Sequence, residues 1–210
     1  TPGLGTAFDG RRSILLGLVI GLMHLSRADG LLWLLMMGVL ALWRWIVDLK
    51  QNHKLRWAAL ISGALILVGY LLVMGAWYFR NDALYGQLMV PGSNRMLWLT
   101  NYDQTYNYPA DTITFEAWAA TGWLEIIKVR LNALWMNIKN MGAVQGGVFL
   151  FPLMLLGWWQ QRKTGFARIA TIMWLVTLFV MTFIFPFAGS RGGYLHSGAA
   201  FQPLWWSLTP

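Results

Sequence analysis

Uncharged apolar runs divide most of the chain into segments of helical length. Three runs of 22 or 23 residues contain no Asp, Glu, Lys or Arg, namely 57–79, 140–161 and 169–190. A helix needs about 20 apolar residues to cross the hydrocarbon core of a bilayer. The pattern therefore predicts spanning helices over 57–79, 142–160 and 168–187.

A short polar segment interrupts the apolar sequence near the amino terminus. Residues 26–30 are polar or small, and apolar residues lie on both sides of them. One long helix would bury an Arg and an Asp in the membrane, which is costly, and Gly30 is a natural helix breaker. We therefore favour two helices, at about 12–25 and 31–47, over a single helix.

The region between the first and second uncharged runs has a more polar composition. Residues 80–116 contain two Pro, four Asn and four Tyr, a composition that predicts an ordered external loop. Residues 117–140 read as an amphipathic helix, which either lies in the membrane interface or packs on the other helices. Its apolar stripe consists of Leu124, Ile127, Leu131, Leu134 and Ile138. A further helix is expected to start at Pro203.

Composition supports a membrane protein. The chain is 57% hydrophobic and 11% charged, and soluble domains average about 25% charged residues. The mean hydropathy is +0.50. We predict an all-α fold, a polytopic transmembrane helical bundle forming a single transmembrane region over residues 1–210, with an external loop and an amphipathic interfacial helix. Without cysteine, disulfides and thiolate metal sites are excluded, and three His without convergent spacing predict no metal site.

The net charge of +8 does not indicate a nucleic-acid-binding protein, because the basic residues punctuate apolar runs. We expect membrane lipids, and other membrane subunits, as partners. The rule that Lys and Arg remain inside predicts segments 44–56 and 160–168 in the cytoplasm and 26–30, 80–140 and 188–202 outside. The expected location is a multi-pass position in a bacterial-type plasma membrane.

Both ends of the sequence suggest a part of a longer membrane protein. The chain starts without an initiator Met or a signal-peptide pattern, and the apolar run after Pro203 stops at Pro210. We therefore expect further sequence on either side.

Three short motifs resemble the GT-C superfamily of membrane glycosyltransferases. Residues 21–32, GLMHLSRADGLL, resemble the superfamily's turn between two apolar helices, with Ala28 in place of the usual Pro. Residues 190–196, SRGGYLH, followed by Pro203, resemble its external Arg–Tyr turn before a late helix. Residues 97–103, LWLTNYD, are similar to the external loop of bacterial members related to protein and lipid-A sugar transferases.

The resemblance implies an enzyme that transfers a sugar from a polyprenyl phosphate at the outer membrane face, with the lipid-linked sugar as substrate and no cofactor. Such enzymes carry a catalytic acid, often a paired Asp-Asp or Asp-Glu, in their first external loop. No paired acid occurs in this sequence. The resemblance therefore implies that this chain is the middle to C-terminal part of such an enzyme. The catalytic acid is then expected upstream or has been lost, and the catalytic residue is unknown.

Within that resemblance, the anionic donor requires cationic side chains at the outer surface. An arginine there binds phosphate oxygens bidentately, which points to Arg27 and Arg191, with His196 as an additional donor. The alternative for Arg27 is an ion pair with Asp29 in a structural turn formed with Gly30. The alternative for Arg191 is a topological flank of the preceding span, and for His196 a structural role.

Tyr102 and Asp103 are candidates for binding the sugar or the acceptor, because aromatic rings and a carboxylate suit stacking and hydrogen bonding to sugars. The alternative is an exposed acid in a loop. A transporter is disfavoured because the uncharged runs lack the ionisable groups that transport pathways need.

The alternative function is a non-catalytic structural or accessory subunit of a membrane complex. Two pairs of glycines four residues apart, Gly17/Gly21 and Gly142/Gly146, permit close contact between helices.

Overall fold

The computed structural model describes residues 9–47, 53–106 and 110–209. These residues contain helices and turns and no strand, which confirms the all-α class. The chain divides into two compact units, Thr1–Pro91 and Gly92–Pro210.

The first unit contains three long helices: α1 (Gly10–Ser26), α2 (Gly30–Val47) and α3 (His53–Tyr85). Its first two helices are separate, as the polar segment predicted. The third extends beyond the predicted 57–79 at both ends, so the loop predicted from residue 80 starts about one and a half turns later. Asp9 caps α1, accepting from the backbone N–H groups of Arg11 and Arg12.

Small residues bring α1 and α3 into close contact. A Cβ atom on Gly17 would overlap the carbonyl oxygen of Ile66, and one on Gly21 would lie 2.7 Å from the Cβ of Val73. The Gly17/Gly21 spacing therefore forms the expected close helix contact. The buried core beside it consists of Ile20, Ile66, Tyr70 and Met74.

The second unit opens with three short 3-10 turns, Ser93–Leu97, Asp103–Thr105 and Ala110–Thr112. Two helices follow, α4 (Phe115–Ala120) and α5 (Trp123–Asn140).

The prediction of one helix over 117–140 is wrong at its start. Gly122 adopts a positive φ of 83°, a conformation that ends α4 and begins α5. The amphipathic stripe of the sequence thus belongs to α5.

The predicted span over 142–160 is also wrong as a continuous helix. Residues Met141–Gln145 are π-helical, and a turn with positive φ at Gly147 (58°) and Val148 (51°) follows. The helix α6 (Phe151–Gln161) has 11 residues, too few to cross a bilayer. The Gly142/Gly146 pair makes no helix contact of the expected kind, since Gly142 has open space where a Cβ would lie.

The predicted helix 168–187 is divided at its carboxyl end. The helix α7 (Gly165–Phe179) continues as a π-helix, Val180–Ile184, and Phe185 leaves helical geometry just before Pro186. A short turn α8 (Pro186–Ala188), a π-helical segment (Gly189–Gly193), α9 (Tyr194–Ala199) and α10 (Gln202–Ser207) complete the unit. Proline at 186 and 203 occupies the first turn of its helix, where its missing N–H costs nothing.

The apolar stripe of α5 is not its buried face. Its apolar stripe faces outward, with Leu131 56% exposed, whereas Asn137 on the other face is fully buried. The face of α5 that contains Ala133 and Asn137 packs against the segments 180–184 and 189–193.

Two helical stretches in the described part of the chain are long and apolar enough to cross a membrane, Trp57–Tyr85 and Gly165–Ile184. Only 22% and 33% of their most apolar windows are buried, so these are not the enclosed core helices of a soluble domain. The outward-facing apolar surface supports association with a membrane.

Candidate functional site

In the first unit, the turn between α1 and α2 contains Arg27, Asp29 and Gly30. The Arg27 Nε lies 3.2 Å from Asp29 Oδ1, and the Asp29 side chain is only 14% exposed. The Gly30 N–H donates to the Arg27 carbonyl, and a Cβ at Gly30 would overlap the backbone of His24. The ion pair weighed as the structural alternative for Arg27 is therefore present, and its role in binding phosphate stays a prediction.

A second polar group lies beside this turn, between α1 and α3. His24 Nδ1 lies 2.6 Å from the hydroxyl of Tyr70, which also contacts the hydroxyl of Tyr78. Tyr70 is 2% exposed. The sequence analysis did not select these three residues, and the two tyrosines sit inside an uncharged run. The eight-residue spacing of Tyr70 and Tyr78 is close to two helical turns, and this spacing could have indicated that the two side chains share one face of the helix.

In the second unit, Arg191 lies on the π-helical segment Gly189–Gly193. The backbone leaves helical geometry at Arg191 and at Gly192, whose φ of 117° strongly favours glycine. The exposed guanidinium of Arg191 lies 5.2 Å from the centre of the Tyr102 ring. Among the described residues no carboxylate forms an ion pair with Arg191. The structure therefore brings together two of the predicted site residues, 89 positions apart.

The loop that carries Tyr102 is ordered by its own side chains. The Gln104 side chain accepts from the backbone N–H of Thr100 at 2.6 Å and of Asn101 at 3.3 Å. The Tyr102 and Tyr106 hydroxyls lie 3.3 Å apart, and this hydrogen bond raises the pKa of Tyr106. Exposed Asp103 follows Tyr102 directly. The contact between Tyr102 and Arg191 joins this loop to the segment Gly189–Gly193.

His196 is not joined to this pair. It lies exposed on α9, and its side chain makes no hydrogen bond with any residue that the structure describes. The structure therefore supports a shared location for Arg191, Tyr102 and Asp103, while the role proposed for His196 stays a prediction.

Arg130, which sequence reasoning did not select, occupies a more enclosed place. Its Nε donates to the Phe183 carbonyl at 3.1 Å and its Nη1 to the Ile126 carbonyl at 3.0 Å. Its guanidinium lies 5.5 Å from the Trp118 ring. Partial burial lowers the pKa of Arg130, although an arginine remains charged. The sequence feature that could have identified Arg130 was its position outside the apolar stripe, two turns before Asn137.

Buried amides hold the irregular segments of the second unit together. Asn137 Nδ2 donates to Thr182 Oγ1 at 3.0 Å, and Gln145 Nε2 donates to the Tyr194 carbonyl at 3.4 Å. Burial also raises the pKa of the Tyr194 phenol. These contacts are structural, because all four side chains are enclosed.

No group of three or more His, Cys, Asp or Glu side chains is arranged to hold a metal ion within residues 9–47, 53–106 and 110–209. The arrangement around Arg191 can bind an anion and present aromatic faces, and it contains no assigned acid or base for catalysis.

Comparison with family models, with curated proteins and with solved structures finds no match to this chain.

Proposed function

We propose that this chain is part of a polytopic membrane glycosyltransferase of the GT-C type, in which Arg191 contacts the phosphate of a polyprenyl-phosphate-linked sugar at the outer membrane face. The observation that carries the proposal is the exposed Arg191 guanidinium on the ring of Tyr102, without a carboxylate partner in the described part of the chain. The assignment to the GT-C superfamily is based on the resemblance of the motifs at residues 21–32, 97–103 and 190–196.

The chemistry of the pair suits a lipid-linked phosphate. The face of an aromatic ring attracts a guanidinium and helps to hold its plane. The N–H groups at the edge of that plane remain available as a fork that matches two phosphate oxygens. In the proposed reaction Arg191 would stabilise the charge on the departing lipid phosphate.

The neighbouring loop supplies groups for a sugar. Tyr102 and Tyr106 offer ring surfaces, and the Asp103 carboxylate accepts hydrogen bonds from hydroxyls. The catalytic acid implied by the family belongs upstream of this chain, so no catalytic step is assigned to a residue here. In this proposal the two long apolar helices, together with α1 and α2, make several passes through the membrane.

The proposal is tested by binding of polyprenyl phosphate to the chain in lipid nanodiscs, with neutral polyprenol as the reference ligand. Arg191→Ala should weaken phosphate-dependent binding ten- to a hundredfold, because a charge-assisted hydrogen bond is worth about 1.5–3 kcal/mol. Arg191→Lys should fall between wild type and Arg191→Ala, because lysine keeps the charge and loses the fork.

Arg80→Ala is the matched control. Arg80 is exposed, lies on the continuous helix α3 and has its guanidinium 5.2 Å from the ring of Trp77. This variant should bind as wild type. Equal binding by wild type and a folded Arg191→Ala would remove the phosphate role and leave the non-catalytic subunit as the preferred function.

A further inference from the structure

A small cavity in the second unit is lined by residues of α4, of α5 and of the loop around Thr100. Thr100, Thr121, Glu125 and Arg130 supply its polar lining, and the ring of Trp118 and apolar side chains complete it. The enclosed space is about 20 Å³, and the open mouth brings the total to roughly 250 Å³. One water molecule needs about 10–15 Å³, so the enclosed part takes a group of a few atoms and not a lipid chain.

The guanidinium of Arg130 is held in one orientation beside this cavity. Its Nε donates to the Phe183 carbonyl at 3.1 Å, its Nη1 donates to the Ile126 carbonyl at 3.0 Å, and it lies 5.5 Å from the centre of the Trp118 ring. A guanidinium has five N–H groups. Three of them therefore have no acceptor among the residues that the structure describes, and they are available to a ligand.

The charge of Arg130 is not balanced by a carboxylate of the described residues. Glu125, the one acid among the described lining residues, is paired instead with Lys128 at 3.5 Å, and its side chain is 53% exposed. Glu125 thus lies on the solvent side of the cavity, with its own counter-ion. A half-buried guanidinium whose partners are backbone carbonyls favours a negatively charged ligand.

We propose that this cavity binds one small oxyanion, a carboxylate or a phosphate group, on the free N–H groups of Arg130. The guanidinium fork matches two oxygens of such a group, and the Thr100 hydroxyl in the lining is a further donor. The rest of the ligand extends through the open mouth, because the enclosed space holds only a few atoms. This site contains neither Arg191 nor Tyr102 and does not depend on the proposed transferase activity.

The test is fluorine NMR of the full chain labelled with fluorotryptophan and purified in an uncharged detergent. Trp118 contacts the Arg130 guanidinium, so its signal reports on an anion bound there. The signal is identified by its loss in Trp118→Phe. Inorganic phosphate should shift it saturably, and sodium chloride at the same ionic strength should not. The absence of a saturable shift, or an equal shift with chloride, would overturn the proposal.

Acetate and methyl phosphate are titrated in parallel to distinguish the two sources of the oxyanion. Tighter binding of acetate supports a carboxylate ligand, and tighter binding of methyl phosphate supports a phosphate ester.

Two variants address the charge and the space separately. Arg130→Gln keeps a donor for the Phe183 carbonyl and should weaken phosphate binding at least tenfold. Thr121→Phe should narrow the cavity from its exposed edge and weaken binding while Arg130 remains in place. Ala120→Phe is the matched control, because Ala120 is also exposed and lies outside the described lining. Equal affinities of Thr121→Phe and Ala120→Phe would exclude this cavity as the site, and this comparison remains valid if Arg130→Gln does not fold.

The sign of the charge at the mouth gives a further test. Glu125→Gln should strengthen phosphate binding up to about fivefold, because a like charge is removed. Glu116→Gln removes an exposed acid of α4 outside the described lining and should bind as wild type. Arg191→Ala should leave the titration of the Trp118 signal unchanged. Weaker binding by Glu125→Gln, or loss of the Trp118 shift in a folded Arg191→Ala, would contradict an anion on Arg130.

Discussion

At the scale of single residues, three arginines differ in the groups that their guanidinium ions contact. Arg27 pairs with the carboxylate of Asp29, Arg130 donates to two carbonyls, and Arg191 contacts the ring of Tyr102. Of these three, only Arg191 is an exposed cation without an anion among the described residues, and the ring that it contacts belongs to another candidate residue, Tyr102. This difference, rather than position in the sequence, makes Arg191 the strongest candidate for binding phosphate.

Glycines decide how closely two helices approach in the first unit. A Cβ on Gly69 would overlap the carbonyl oxygen of Ile14 and lie 3.0 Å from the backbone nitrogen of Leu18. Gly75, on the same helix, has open space at the corresponding position. The two glycines therefore differ in packing while sharing the same helical backbone.

Gly69→Ala should destabilise the first unit by about 1–3 kcal/mol, because the added methyl group forces α1 and α3 apart. Gly75→Ala should be neutral or stabilising by up to about 1 kcal/mol, because alanine is the better helix former. Thermal unfolding in detergent compares the two. Similar melting temperatures for both variants would contradict close packing at Gly69.

At the scale of elements, α5 buries the face that contains Ala133 and Asn137 and exposes its apolar stripe together with Lys128, Asn132 and Lys139. The buried Asn137 side chain donates to Thr182 and to the carbonyl of Met181, both on the π-helical segment Val180–Ile184. A π-helix shifts its backbone hydrogen bonds by one residue, so polar side chains from a neighbouring helix can fix its register. The side chain of Asn137 thus helps to order a segment whose own backbone pattern is irregular.

Asn137→Leu should destabilise the second unit by about 1–2 kcal/mol, because leucine has a similar branched shape but is larger and offers no hydrogen bond to Thr182. Asn132→Leu, an exposed change on the same helix, should remain within about 0.5 kcal/mol of wild type. Denaturation followed by tryptophan fluorescence gives both values. A neutral Asn137→Leu would mean that packing alone holds the π-helical segment.

At the scale of the whole molecule, the predicted crossing pattern rests on the basic clusters and is directly measurable. The chain has no cysteine, so a single introduced cysteine reports its own side of the membrane. Ala28→Cys and Thr121→Cys should react with a membrane-impermeant maleimide added outside intact cells. Lys163→Cys should react only after the membrane is opened. All three native residues are exposed, and labelling of Lys163→Cys from outside would contradict the topology.

The sequence alone determined the helical class, the two-helix start and the glycine contact of α1. Those features depend on local rules: uncharged runs, a breaker at Gly30 and small residues four apart. It failed at 117–140 and 142–160, where Gly122 and the turn at Gly147–Val148 interrupt amphipathic or uncharged runs. Hydropathy indicates which side chains are favourable in lipid. It does not detect a break in the backbone helix inside an apolar run.

Only the tertiary structure decided which polar groups meet. Arg130 and the carbonyl of Phe183 are 53 residues apart, and Arg191 lies 89 residues from Tyr102. Every residue has a backbone carbonyl, so the sequence does not show which carbonyl will accept a hydrogen bond. Nor does the sequence show whether an arginine will contact a carbonyl, a ring or an acid. The chain therefore encodes where its cations stand along each helix, and the packing of α5 and of the loop at 98–106 determines their partners.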